Sequence, residues 1–315
     1  MPLLKFSDIL EGSRARVMMS PMARGRIAGV GAAVLATATL LSACTWRVDT
    51  EPEPFRPPSQ ITMLRDDVAA AEAAVASAAA TSDDPLAGVE LAAVPVRLTA
   101  LGGVSPTSSP RPDASLSEAL DGAADATTAC MDNAGEDPLG GLCASIALSH
   151  AVILAAPERF AWEALAYLAA PVTLPGADSA VPSETLARLA LEHDRLRALY
   201  EVIAARSTGE ERTAALEQSS GERARVGALL AIEGVEDLTE PAYAIPADAS
   251  SALAARVTIA EAYAALMVGA EPQDREWLLN SAVVAYRGAL ANGLPISEVP
   301  ALPGAIQPSP SPSAS

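Results

Sequence analysis

Few side chains in this sequence have the types and spacing that chemistry demands. The 315 residues include two histidines, His150 and His193, three cysteines, Cys44, Cys130 and Cys143, and 39 acidic residues. A carboxylate-bridged metal pair inside a helical bundle needs inward carboxylates and Glu-x-x-His, because residues three apart on a helix grip one ion from the same side. Ala147 stands three residues before His150, and Ala190 three before His193. Neither histidine completes the motif, so no metal and no cofactor is assigned. Ser149-His150 has no acid placed to form a recognisable triad, and the chain contains no Gly-x-Ser-x-Gly elbow. It has no phosphate-binding loop and no clustered metal-ligand spacing. The glycine pairs Gly102-Gly103 and Gly140-Gly141 fall at helix ends and need no phosphate to account for them. No catalytic residue is assigned, and the expectation is a protein that is not an enzyme.

One histidine does have the setting of a site. Leu186, His193 and Tyr200 recur every seven residues, as do Leu189, Leu196 and Ile203, which places His193 on the buried seam of a helix. The facing segment LEQSSGERARVGALL carries Glu222 and Arg223, close to the stripe of Leu216, Val226 and Leu230. A cluster of His193, Glu222 and Arg223 at mid-bundle follows. Two readings stand: a satisfied internal network of hydrogen bonds and ion pairs, or a site for a metal or small molecule. His150 shares a stripe with Leu139, Cys143, Ile146 and Ile153 and reads as core packing.

The elements that position these residues begin after a leader. Arg24 to Cys44 (RGRIAGVGAAVLATATLLSAC) has a positive start, an apolar run and small residues before a cysteine, the layout of a secretory signal. The apolar run is shorter than the ~20 residues a membrane-crossing helix needs. Leu41-Ser42-Ala43-Cys44 resembles the lipobox of bacterial lipoproteins. That resemblance implies a diacylglyceryl group on Cys44, cleavage of residues 1–43 as a signal peptide, and a chain held by lipid at the extracytoplasmic face of the cell membrane. Met18, Met19 and Met22 are alternative starts within the long leader.

Without the leader the chain keeps 16 basic and 37 acidic residues, a net charge of −21 against −18 for the whole. Such a surface repels phosphate backbones, which argues against nucleic acid as a partner. It also repels anionic headgroups, so acyl chains must do the anchoring. An exported protein can keep a disulfide. Cys130 and Cys143 flank a turn-like segment at 132–141, and a structural bridge between them is favoured over two buried thiols.

The apolar half of the composition is mainly Ala, Leu and Val, with only 3% aromatic residues. Helix formers without strand-like alternation predict an all-α protein. Residues 44–59 form a Pro-rich tether, and residues 60–156 carry four helical segments. The stripe Ile61, Leu64, Val68, Ala71, Val75 and Ala78 marks the first. Pro95 should kink or interrupt the second, and Ser115 with Glu118 opens the third by a capping box. The fourth runs from Pro138 to Ala155. Residues 157–182 are a connecting segment with a short helix carrying Phe160, Trp162 and Tyr167. Residues 183–293 carry four more helices, the first capped by Ser183, and residues 294–315 are expected to be a disordered tail rich in Pro and Ser.

Both halves run short link, long Pro-containing link, short link, and Asp113-Ala114-Ser115 is echoed by Asp248-Ala249-Ser250. This rhythm predicts a tandem duplication. A long connection between second and third helices is the topology of ferritin-like bundles. Leu189–Ser207, Ala242–Leu266 and Trp277–Leu290 are similar to a ferritin-like domain of unknown function found in actinobacterial secreted proteins. The resemblance covers residues 183–293 and implies two ferritin-like bundles, the first degenerate, and an envelope address without an established reaction. The expectation is a lipid-anchored module that binds an envelope protein or a ligand without catalysis. The alternative is a metal- or small-molecule-binding bundle centred on His193.

Overall fold

The computed structural model describes residues 57–105, 114–154, 174–244 and 249–305. The lipobox with Cys44, most of the tether and the aromatic connecting helix lie outside them. The described residues contain eight helices and no strand: α1 Gln60–Ala79, α2 Ala87–Leu101, α3 Leu116–Asn133, α4 Pro138–Leu154, α5 Ser183–Arg206, α6 Gly209–Leu230, α7 Ala249–Val268 and α8 Pro272–Ala291. A short 3-10 turn, Ile296–Glu298, follows.

Local sequence sets the ends of these helices. The Ser59 hydroxyl accepts from the Thr62 N–H at 3.1 Å and starts α1. Ser115 and Glu118 cap α3 reciprocally, as their spacing predicts. Gly102 ends α2 with φ of 83°, a left-handed turn that costs glycine nothing. Two expectations fail in detail. Helix α2 runs unbroken through Pro95. Leu91 and Pro95 are both exposed, so the Leu91 carbonyl that proline leaves without an intrahelical donor can turn to water. Ser183 is the first helical residue of α5 rather than its cap, and its side chain makes no capping bond.

The two groups of four helices are wired alike. α1 packs on α2 and α3, and α3 on α4; α5 packs on α6 and α7, and α7 on α8. Within the second group His193 meets Glu222 and Ala204 meets Arg212, so α5 and α6 are antiparallel. Tyr200 meets Arg256 while His193, seven residues earlier, meets Tyr263, seven later, so α5 and α7 are antiparallel too. α6 and α7 therefore run the same way, and the connection between them travels the length of the bundle. In the first group Leu116 and Ala119 of α3 share a core with Ala78 and Ala79 at the end of α1 and Ala87 at the start of α2. α3 therefore starts at the end of the bundle where α2 starts, about 22 Å from where the 15 residues of α2 finish.

From Pro58 onward the described residues form one compact unit, and one apolar core runs from Val68 through Cys143 and Leu196 to Tyr286. α4 sits at its centre. From Gly140 to Ile153 hardly a residue of it is exposed, as an all-round apolar helix requires. It packs against α7 and α8 as well as α3, and α3 touches α8. Gly141 makes the contact with α7 close: a Cβ there would sit 2.1 Å from the Val268 carbonyl oxygen. Arg275 of α8 pins the α3–α4 turn by donating from Nη1 to the Gly135 carbonyl at 2.7 Å. Cys130 and Cys143 form a disulfide that ties α3 to α4, with Cα atoms 6.0 Å apart.

Residues 294–305 are not the loose tail that their composition predicts. Leu302 is buried, the Ala301 carbonyl accepts from Arg97 Nε at 3.3 Å, and the Pro303 carbonyl accepts from the Ser145 hydroxyl at 2.8 Å. Gly304 lies so close to α7 that a Cβ would meet the Ala264 carbonyl oxygen at 2.1 Å. Carbonyls, which Pro and Ala supply as well as any residue, bind this segment as a strap across the first half. Residues 306–315 lie outside the described chain.

Candidate functional site

Each half holds a buried polar cluster. In the second half His193 of α5 donates from Nδ1 to Glu222 Oε2 of α6 at 2.6 Å, and its Nε2 meets the Tyr263 hydroxyl of α7 at 3.0 Å. Tyr263 stands edge-on to Trp277 of α8 with ring centroids 6.3 Å apart. Glu222 Oε1 faces two guanidinium groups, Arg225 at 3.4 Å and Arg256 at 3.5 Å. Arg256, 2% exposed, also donates to the Tyr200 hydroxyl at 2.7 Å and to Gln218 Oε1. Burial, the largest single influence on Glu222, pushes its carboxyl up. The hydrogen bond and charge of His193, with Arg256 and Arg225, outweigh burial and hold it at about 2.

The first half has a cluster of the same kind. His150 of α4 donates from Nε2 to Glu72 Oε1 of α1 at 2.5 Å. Arg97 of α2 donates from Nη1 to Glu90 Oε2 at 2.8 Å and Glu72 Oε2 at 3.3 Å, and from Nη2 to the Ser149 hydroxyl at 2.7 Å. Glu72, Glu90, Arg97 and His150 are all fully buried. Burial raises the Glu72 carboxyl, yet His150 and Arg97 together leave it below its ordinary value. The Nδ1 of His150 and Oε1 of Glu90 face each other at 3.8 Å, and neither has a hydrogen-bond partner.

The sequence-derived cluster is therefore rebuilt in part. His193 and Glu222 meet; Arg223 does not join them. It follows Glu222 by one residue, about 100° around the helix, and its side chain is 69% exposed, pairing with Glu201 at 2.7 Å. Arg256 and Arg225 take its place. His150, expected in the core, is indeed buried, but as part of an ion-pair network. Glu72, Glu90 and Arg97 were readable in principle. Glu72 falls four residues after Val68 and three before Val75, while Glu90 and Arg97 flank Val94 at four and three. A charge in register with an apolar stripe is the signal, and a helical reading that follows only apolar letters passes over it.

The chemistry open to these clusters is narrow. In both, the histidine bonds directly to one oxygen of a carboxylate and a guanidinium faces the other oxygen, so the protein's own cations already occupy the carboxylate. Among the described residues no three of the metal-ligating types are grouped to hold an ion. Two hollows lie to the side. One of about 500 Å³ is bounded by Glu192, Arg195, Tyr243 and Ala255. One of about 590 Å³ runs between α2, α4 and the strap, lined by Gly88, Ala92, Ser149, Ile153 and Pro300. Of the second hollow's lining residues, Ser149 and Ala301 also accept from the Arg97 guanidinium. No family model, curated protein or solved structure matches this chain.

Proposed function

We propose that this chain is an exported lipoprotein, held by acyl chains on Cys44 at the outer face of the cytoplasmic membrane, that binds a protein or ligand partner without catalysing a reaction. Two tandem ferritin-like bundles, the first degenerate, are its scaffold. The observation that carries the non-catalytic reading is the internal pairing of the Glu72 and Glu222 carboxylates. Arg97 pairs with Glu72 and Arg256 with Glu222, both of these carboxyls are held below their ordinary value, and Tyr263 is buried edge-on to Trp277. A carboxylate locked in this way is a poor general base, and an enclosed tyrosine hydroxyl has no route to a substrate. Recognition then falls to the surface. The likeness in helix-to-helix contacts between the halves supports the duplicated scaffold.

The test uses the full chain expressed in a host that processes lipoproteins. Mass spectrometry of the membrane fraction should find an amino-terminal peptide starting at Cys44 and carrying a diacylglyceryl group. Cys44→Ser should abolish it. An unmodified thiol or an unprocessed chain overturns the anchor. Elemental analysis of the same protein tests the rest: stoichiometric metal that is lost on His193→Ala would replace this reading with a metal-binding bundle.

A further inference from the structure

The exposed side of α2 carries no charge. From Gly88 to Ala100 its exposed positions include Leu91, Ala92, Pro95, Val96 and Thr99, an arc of about half the helix at 100° per residue. Its only ionised side chains, Glu90 and Arg97, point inward and are 0% exposed. Met63 on the first turn of α1 and Val104 just beyond α2 are exposed as well. Of the six large apolar side chains exposed among the described residues, four are Met63, Leu91, Val96 and Val104. The outward side of α6 is the opposite, with Glu210, Glu211, Arg212, Glu217 and Arg223 exposed.

Met63, Val96 and Val104 lie toward the end of the described unit at which α1 begins. α1 and α2 are joined by a short link and Glu72 meets Arg97, so α1 begins at the end where α2 finishes. Fifteen residues separate Cys44 from Gln60, a reach of at most about 55 Å. We infer that the α2 face seats on the bilayer, with Leu91, Val96 and Met63 in the boundary between headgroups and acyl chains. This rests on the proposed lipid anchor. Once Cys44 is held at the membrane, the local concentration of surface is high and a weak adsorption suffices. No ion on the α2 arc itself has to be stripped of water, while Glu298, which shares a hollow with Gly88 and Ala92, and Asp67, one turn on from Met63, stay in the headgroup layer. The acidic remainder of the molecule is repelled by anionic headgroups, which selects the uncharged face by contrast. Seating along α2 would fix which surfaces of the second half point away from the membrane.

The experiment labels a single added cysteine. In the full, processed chain Cys44 is acylated and Cys130 is bridged to Cys143, so Val96→Cys and the control Leu216→Cys on α6 each take one fluorophore. The labelled proteins are placed in phosphatidylcholine–phosphatidylglycerol vesicles with lipid-borne nitroxide quenchers, and separately exposed to iodide. We expect lipid quenching about threefold stronger at 96 than at 216, together with protection from iodide at 96, as for groups buried in the interface. Equal lipid quenching at both positions overturns the seating. Protection from iodide at 96 without lipid quenching also overturns it, and shows a second copy or another protein on the face. Protein that leaves the vesicles in a carbonate wash defeats the anchor itself, and the seating with it.

Discussion

The two polar clusters solve one problem with opposite stoichiometry. In the first half two carboxylates, Glu72 and Glu90, share one guanidinium, Arg97, and one imidazole, His150. In the second a single carboxylate, Glu222, is served by two guanidinium groups, Arg225 and Arg256, and by His193. The first is sealed by the strap through Ala301 and leaves two polar atoms without partners; the second adds Tyr200, Tyr263 and Gln218 as further donors and acceptors. A buried charge is tolerated only as long as its partners remain. The half with fewer cations per carboxylate should thus be the more fragile.

The comparison breaks most visibly at the arginines. Arg97→Leu leaves two buried carboxylates facing one histidine and should cost about 3–5 kcal/mol. Arg256→Leu leaves Glu222 still paired with His193 and Arg225 and should cost about 2 kcal/mol. Urea denaturation of both variants at neutral pH measures the difference, and equal losses would show that cation count does not decide it. Next comes the bridge, which only the first half has. Cys130→Ala with Cys143→Ala, opening a crosslink between residues 13 apart, should lower stability by about 3 kcal/mol. The loss should be larger than that of any surface substitution in the second half.

A pH profile sharpens the comparison further. Glu222 is lowered from its ordinary 4.5 to about 2 in the folded protein. A carboxyl with a depressed folded value contributes stability above its unfolded value, and loses it as pH falls through the folded one. Glu222→Gln should therefore cost about 2 kcal/mol at neutral pH. The gap to the parent should close between pH 4.5 and about 2. Glu72 is lowered as well, so Glu72→Gln should show a gap of the same sign. Denaturation midpoints taken through this range test both; a gap that widens on acidification would contradict the pairing.

Much of the fold is legible in the letters, and most of the cluster chemistry is not. Apolar stripes and turn residues mark all eight described helices, because burial of one face is what selects the 3.6-residue period. The His193–Glu222 contact is also accessible, since both side chains fall in register with their own helix's stripe. Arg256 is harder to place. It sits in ALAARVTIAEAYAAL, a stretch apolar enough that Ser251–Val268 would pass for a membrane span, and nothing local says that its partners are Glu222 and Gln218. Arg223 misleads because adjacency along a helix is divergence around it. The strap is the clearest limit. Leu302 is its one deeply buried large side chain, while its polar ties to α2 and α4 are made through main-chain carbonyls that every residue possesses.

The smallest expected effect concerns helix starts, where the two halves differ again. α3 opens on a full capping box: the Ser115 hydroxyl meets the Glu118 N–H at 3.3 Å, and Glu118 Oε2 accepts from the Ser115 N–H at 2.9 Å. α5 opens on Pro182 with no side-chain bond at all, although Ser183 stands beside it. Orphan N–H groups at an exposed start are tolerated because water takes them, so the uncapped α5 loses little. Ser115→Ala removes one protein acceptor and should cost about 1 kcal/mol. Ser183→Ala should stay within about 0.5 kcal/mol of the parent. Thermal unfolding of the two variants side by side is enough to tell them apart. Equal shifts would mean that Ser183, unbonded in the folded chain, acts through the unfolded state instead.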